Sequence, residues 1–246
     1  MAIITLLTDF GIADSYVAEM KAVLLSRTAD LTLVDISHEV PPGDVRAGQY
    51  LLGRAWKYFP RNTIHIAIVD PGVGTERRAI AAESQGHRFV APDNGLLSFL
   101  PQEARCVSIL VPAEASATFH GRDVFAPAAA TLAAGDPIDV LGGSISRPIR
   151  VPLPVPHHDG TAVIGEVLYV DRFGTLISNI EPSAVEPGIR IRVGDVDVGP
   201  LRRTFGDAKR GALLAFTGSG GTVEIAVRDG SAARLLGVGV GAEVRA

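Results

Sequence analysis

Residues 63–78 read TIHIAIVDPGVGTERR, and this stretch decides the fold. Residues 63–69 form an apolar run rich in β-branched side chains, the pattern of a buried strand. The run ends at Asp70 and enters a Pro/Gly turn, PGVG (71–74), that no strand or helix continues through. Upstream, residues 3–7 and 31–36 are two further apolar strand candidates. Residues 14–27 lie between them and follow a helical period through Tyr16, Met20, Val23, Leu24 and Arg27, with Asp14 as the expected N-cap. Residues 44–58 form a second helical stretch, stopped by Pro60. Strand, helix, strand, helix, strand predicts βαβ units, a mostly parallel sheet and helices on both faces, a Rossmann-like α/β domain.

Working forward, residues 79–83 and 88–91 read as strands. Residues 122–134 read as a helix ended by Gly135, with Pro127 as a kink or a first-turn proline. The pattern changes at RPIRVPLPVPHH (147–158), where four prolines in twelve residues predict an extended linker that carries His157 and His158. Beyond it, alternating runs at 161–170, 189–193, 212–217 and 222–227, with a short helix at 230–236, predict a small β-barrel or sandwich. The expected organisation is an α/β domain over 1–150 and a β domain over 160–246.

Composition narrows the function. The chain has 246 residues, 47% hydrophobic and 20% charged, with a net charge of −4. This balance excludes wholesale disorder and argues against a nucleic-acid binder, which needs clustered Lys and Arg. No apolar run approaches the roughly 20 residues that cross a bilayer. The first residues lack a basic region and cleavage site of the secretory kind, so a cytoplasmic protein without a membrane partner is expected. Cys106 is the only cysteine, which excludes an intramolecular disulfide and a Cys-rich metal site. No HxH, HExxH or Cys/His spacing indicates zinc.

In an open parallel sheet, ligands bind outside the carboxyl ends of the strands. Asp9, Asp35 and Asp70 are each read at such an end. They could accept sugar hydroxyls or hold a cation, or serve only as turn formers. Asp70 and Arg77, seven residues apart across a Gly-rich turn, could face one small space or brace the loop as an ion pair. His120, between Phe119 and Gly121, is either poised to expose its ring or part of a loop in which Asp123 caps the following helix. His65 alternates within a strand and belongs to the core. The β domain offers two loops, Tyr169–Thr175 and Thr217–Glu224, that suit an aromatic or backbone contact with a planar ligand or are plain β-turns. These readings reach an α/β enzyme or binding protein for a hydroxylated small molecule without selecting a reaction.

Seven motifs in order are more specific: TDFG (8–11), DSYVAEMK (14–21), DISHEV (35–40), VDPGVGTERR (69–78), APDNGLLS (91–98), FHGRDVFAPAAA (119–130) and YVDRFG (169–174). Together they resemble the S-adenosylmethionine hydroxide adenosyltransferases, the SAM hydrolases, which are related to fluorinating and chlorinating enzymes. The resemblance implies an N-terminal α/β domain, a C-terminal β-barrel and a homotrimer with sites at subunit interfaces. It implies hydrolysis of S-adenosylmethionine by water to adenosine and L-methionine, with no cofactor and no metal. It carries the catalytic role onto Asp70, Arg77 and His120, and ribose binding onto Asp9. Phe173 matches an adenine-stacking residue, Ser219 and Glu224 match substrate-binding positions, and Val227 matches a backbone contact to adenine. This chain has Thr175 where the family usually has Asn, and Gly220 where relatives commonly have Ser or Arg. The halogenating relatives carry an aromatic at the position of Asp70, which favours water here.

The implied chemistry has one difficulty. The sulfonium already leaves as a neutral thioether, but bulk water is a weak nucleophile with a pKa of roughly 15.7. Arg77 with a protonated His120 could hold a hydroxide-like oxygen, or Asp70 could take the proton; the favoured arrangement is mixed, with Asp70 orienting the water and Arg77 and His120 holding the developing negative charge. The rival classes are a non-catalytic adenosine or S-adenosylmethionine binder, a Mg²⁺-dependent hydrolase, and a halide-using adenosyltransferase.

Overall fold

The apolar run at the start of the chain forms β1 (Ala2–Thr8), whose last five residues are buried. In a computed structural model describing residues 1–246, the chain divides into two compact units, Met1–Pro152 and Leu153–Ala246. The first unit continues through α1 (Tyr16–Arg27), β2 (Leu31–Ser37), α2 (Val45–Ala55), β3 (Ile64–Ile68), β4 (Ala79–Ser84), β5 (His87–Pro92), β6 (Arg105–Ile109) and α3 (Ala126–Ala133).

The sheet of the first unit runs β2-β1-β3-β5-β4-β6. β1 is parallel to β2 and β3, and β3 is parallel to β5, while β4 runs antiparallel to both its neighbours. The chain leaves β1 for β2 on one side and returns to β3 on the other, so a topological switch point opens between the carboxyl ends of β1 and β3. Alternation along the strands sorts the two faces. Ile4, Leu6, Ile64, Ile66 and Ile68 pack with Met20, Leu24 and Phe125 from the α1 and α3 side. The opposite parity carries His65 and Phe89, whose rings stack, and Phe89 meets Trp56 after α2.

Several local expectations change. Asp14 does not cap α1. Ser15 precedes the helix without a side-chain cap bond, and its hydroxyl donates to Glu19 instead (2.7 Å). Asp44 caps α2, accepting from the Ala47 N–H (2.9 Å). The single helix expected over 122–134 is a π-helical turn, Gly121–Phe125, followed by α3, with Pro127 in its first turn.

In the second unit, β7 (His157–Asp159) forms from the end of the expected linker, so His157 and His158 are strand residues, exposed on an edge. β8 (Ala162–Val170), β9 (Leu176–Ser178), β10 (Arg190–Val193), β11 (Val196–Arg202), β12 (Leu213–Thr217), β13 (Val223–Val227), α4 (Ala232–Leu236) and β14 (Glu243–Arg245) follow. The order β14-β10-β11-β12-β13-β9-β8 closes through the β14–β8 pairing into a seven-strand barrel, with β7 added beside β8. The barrel is filled by Val167, Leu176, Ile180, Ile191, Ala215 and Ile225. The sequence pattern thus yields the α/β-plus-barrel architecture it predicts.

Candidate functional site

The switch point of the first unit is a cleft of about 440 Å³. Asp9, immediately after β1, and Asp70, two residues after β3, both line it. The Asp9 N–H donates to the Ile68 carbonyl (3.3 Å), which ties the two strand ends together. Asp35 is not at this edge. β2 continues to Ser37, and Asp35 lies within it, accepting from Lys21 Nζ (2.6 Å) and facing His38 Nε2 (3.1 Å).

The PGVG turn returns the chain so that Arg77 meets Asp70. Gly74 holds φ +77°, and a Cβ there would stand 2.5 Å from the Ala117 carbonyl oxygen, so the turn packs directly on the 116–118 segment. Arg77 Nε donates to Asp70 Oδ1 (2.9 Å), and Nη2 pairs with Oδ2. The same Nη2 lies 3.0 Å from His120 Nδ1. Asp70 and Arg77 side chains are only 5% and 8% exposed, so this is a desolvated bidentate pair and not a surface brace. The face of Phe125 lies 5.3 Å from the guanidinium carbon. Arg77 Nη1 is buried with no protein partner.

His120 is buried at 7% exposure, not exposed as its Gly neighbour suggested, yet it lines the cleft. A guanidinium only donates, so Nδ1 must present its lone pair and the neutral ring carries its proton on Nε2. Burial, reinforced by the Arg77 charge, pushes the imidazole below its ordinary 6.5, against the opposing pull of Asp70 and Asp123. Asp123 does not cap the following helix. It accepts from the Ser116 N–H (2.9 Å) and from Arg122, bracing the loop ahead of His120.

The motif reading passed over part of this cleft. Phe10, Tyr16 and Phe119 form an edge-to-face triad with ring centroids 5.3–6.0 Å apart, and all three line it. The available signal was position, since Phe10 follows Asp9 and Phe119 precedes His120. Glu19 and Arg122 lie at the rim, and Ser15 and Arg122 hold the Glu19 carboxyl below the usual carboxylate range.

In the barrel unit, a second cleft of about 760 Å³ gathers Phe173, Thr175, Ser219, Glu224 and Val227. Asp171 Oδ1 accepts from the N–H groups of Phe173 and Thr175 (2.9 and 2.8 Å), an Asx turn that presents the Phe173 ring at 77% exposure. Thr175 and Glu224 are buried, and Gly218 leaves the room that the Glu224 carboxylate occupies. The Val227 carbonyl accepts from the Gly230 N–H (3.1 Å). Asn179 does not stand in for the missing Asn at 175. Its amide is spent on Glu166 N and the Pro154 carbonyl. No three His, Cys, Asp or Glu side chains are gathered as a metal centre.

A buried carboxylate–guanidinium–imidazole network at an α/β switch point, next to a carboxylate able to take hydroxyls, defines a small-molecule site built for polar chemistry. The family models for the SAM hydroxide adenosyltransferase N-terminal and C-terminal domains match residues 4–142 and 165–245. The chain is 44% identical to the (R)-S-adenosyl-L-methionine hydrolase of Thermus thermophilus, covering 97% of each chain. It is 41% identical to that of Salinispora tropica, covering 98% of this chain and 96% of the relative. Fluorinases match at 28–29% identity. A crystal structure of an uncharacterized conserved protein from Thermotoga maritima superposes with a TM-score of 0.91 at 37% identity, covering 98% of both chains. The chain belongs to the SAM hydroxide adenosyltransferase family.

Proposed function

We propose that this protein hydrolyses S-adenosylmethionine to adenosine and L-methionine. The observation that carries the reading is the desolvated Asp70–Arg77–His120 network, whose Asp70 and His120 line one cleft with Asp9 while Arg77 holds them from behind. Water attacks C5′ from the side opposite sulfur. The C5′–S bond breaks, its electron pair returns to sulfur, and methionine leaves as a neutral thioether. The water loses its proton. Asp70 is the acceptor at hand, because each of its oxygens keeps a lone pair beyond the Arg77 bonds. His120 Nε2–H and the unpartnered Arg77 Nη1 are donors for the oxygen as it becomes hydroxide-like. Low polarity strengthens the pull between that oxygen and the sulfonium.

Asp9 takes the ribose hydroxyls. One oxygen accepts from the Gly43 N–H (2.8 Å), and the carboxylate retains capacity for both donors. In the barrel, the exposed Phe173 ring is the adenine platform, and Thr175, Ser219, Glu224 and the Val227 backbone complete adenosyl recognition. The clefts act together in a homotrimer, each site drawing on two subunits. No cofactor or metal takes part, and a rate unchanged by EDTA is expected.

The test is incubation with S-adenosylmethionine in H₂¹⁸O and chromatography for products. Adenosine labelled at the 5′ oxygen supports the proposal. Binding without turnover, or 5′-chloro-5′-deoxyadenosine in added chloride, replaces it with a sensor or a halide-using enzyme. Arg77→Ala is expected to lower kcat by about 10²-fold or more with binding largely spared, as for a donor acting in the transition state.

A further inference from the structure

The turn Pro92-Asp93-Asn94-Gly95 lines none of the catalytic cleft, yet it holds both strands that deliver the catalytic pair. Asn94 Nδ2 donates to the carbonyl of Val69, the residue before Asp70 (2.8 Å). Asp93 accepts from Arg78 Nε (2.8 Å), the residue after Arg77, and its own N–H donates to the Arg78 carbonyl (2.9 Å). Its other oxygen accepts from the Ile149 N–H (2.7 Å), and Asp93 is 1% exposed. Two adjacent side chains therefore grip the neighbours of Asp70 and Arg77 on either side of the PGVG turn.

We infer that Asp93 and Asn94 are positioning residues that fix the separation and orientation of Asp70 and Arg77. The inference rests on the proposed roles of those two residues. Its physical basis is that a bidentate carboxylate–guanidinium contact tolerates little displacement, and that misplacement of reacting groups by about 1 Å can cost on the order of 10²-fold in rate. Asn94 is the more discriminating position. Its Oδ1 accepts from the Leu96 N–H (3.2 Å) and shapes the turn, while Nδ2 alone reaches Val69. Asn94→Asp keeps the first bond, replaces the second with an oxygen facing the Val69 carbonyl, and adds a negative charge beside Asp93.

The experiment compares Asn94→Asp and Asp93→Asn with Thr5→Val, which breaks a buried hydrogen bond to His65 in the same sheet (2.8 Å). Two readouts are taken. The first is kcat and KM for S-adenosylmethionine. The second is the NMR titration of the His120 ring in the free protein, which senses whether Arg77 stays on Nδ1 without any turnover. The clamp predicts kcat lowered at least about tenfold with KM nearly unchanged. It also predicts a His120 midpoint that rises toward the ordinary imidazole value in both clamp variants and stays put in Thr5→Val. If the His120 midpoint does not move, or moves equally in Thr5→Val at matched loss of Tm, the inference is overturned. If the midpoint shifts but wild type makes no adenosine, the positioning role stands and the hydrolase reading falls.

Discussion

Asp9, Arg77 and His120 each keep unspent bonding capacity, and at the residue scale that capacity sets what a substitution should do. Asp9 accepts one bond from the Gly43 N–H and has the rest of its carboxylate free for vicinal hydroxyls. Hydrogen bonds to a charged acceptor contribute about 1.5–3 kcal/mol each. Asp9→Ala should therefore weaken adenosine binding by roughly 10²-fold or more, measured by calorimetry with adenosine as the titrant. Unchanged affinity would remove Asp9 from ribose recognition. His120 gives a pH signature. Its neutral form accepts from Arg77, and its folded pKa lies below 6.5. Protonation removes that acceptor, so kcat/KM for the free enzyme should be level above about pH 6.5 and fall as the pH drops through a midpoint below that value. An acid limb centred at or above 6.5 would mean that the charged ring is the working form.

At the scale of elements, the catalytic geometry depends on the 71–74 turn meeting the 116–118 segment. Gly74 combines a left-handed backbone with contact against the Ala117 carbonyl, whereas Gly135, also left-handed at φ +103°, faces open space. Both Gly→Ala variants incur the left-handed cost of about 1 kcal/mol, and Gly74→Ala adds the clash. Thermal unfolding should show a larger loss for Gly74→Ala, accompanied by a large fall in kcat that Gly135→Ala lacks. Equal losses would show that the 71–74 turn moves off the 116–118 segment freely. The turns also mark what the sequence made legible. Asp70, Arg77 and His120 stood out because their motifs carry the resemblance, and the structure brings their side chains together; the strand before Asp70 was readable from its β-branched run. Asp35 was misread because a strand's end is set by its pairing with β1, which runs past it to Ser37. The roles of Asp93 and Asn94 were invisible because their partners are a side chain 15 residues away and a backbone carbonyl 25 residues away, and turn residues look alike whether or not they grip anything. The three-residue strands β9 and β14 have no period to detect, and they exist because the barrel must close.

Across the whole molecule the buried imidazoles are unevenly shared. The first unit encloses His38, His65, His87 and His120, whereas the histidines of the barrel unit, His157 and His158, are exposed. His65 is the extreme case. Its Nδ1 meets Thr5 Oγ1 (2.8 Å) and its Nε2 meets His87 Nδ1 (3.1 Å), in a layer of aromatic rings that excludes water. Burial, with the His87 ring beside it, lowers its pKa to about 3, and burial lowers that of His87 as well. Unfolded, an imidazole titrates near 6.5. Between about 6.5 and 3 the unfolded chain binds more protons than the folded one, so stability falls as pH falls and is complete above 6.5. The slope for one such group is at most about 1.4 kcal/mol per pH unit. Trp56 is the chain's only tryptophan and stands against the His87 ring (5.1 Å), so its emission reports this unit alone. The urea midpoint followed at Trp56 should fall steadily from pH 7 to pH 4, and fall less steeply in His65→Gln. A midpoint flat over that range would show that these imidazoles take up protons without leaving the folded state, and that their burial costs the molecule nothing in acid.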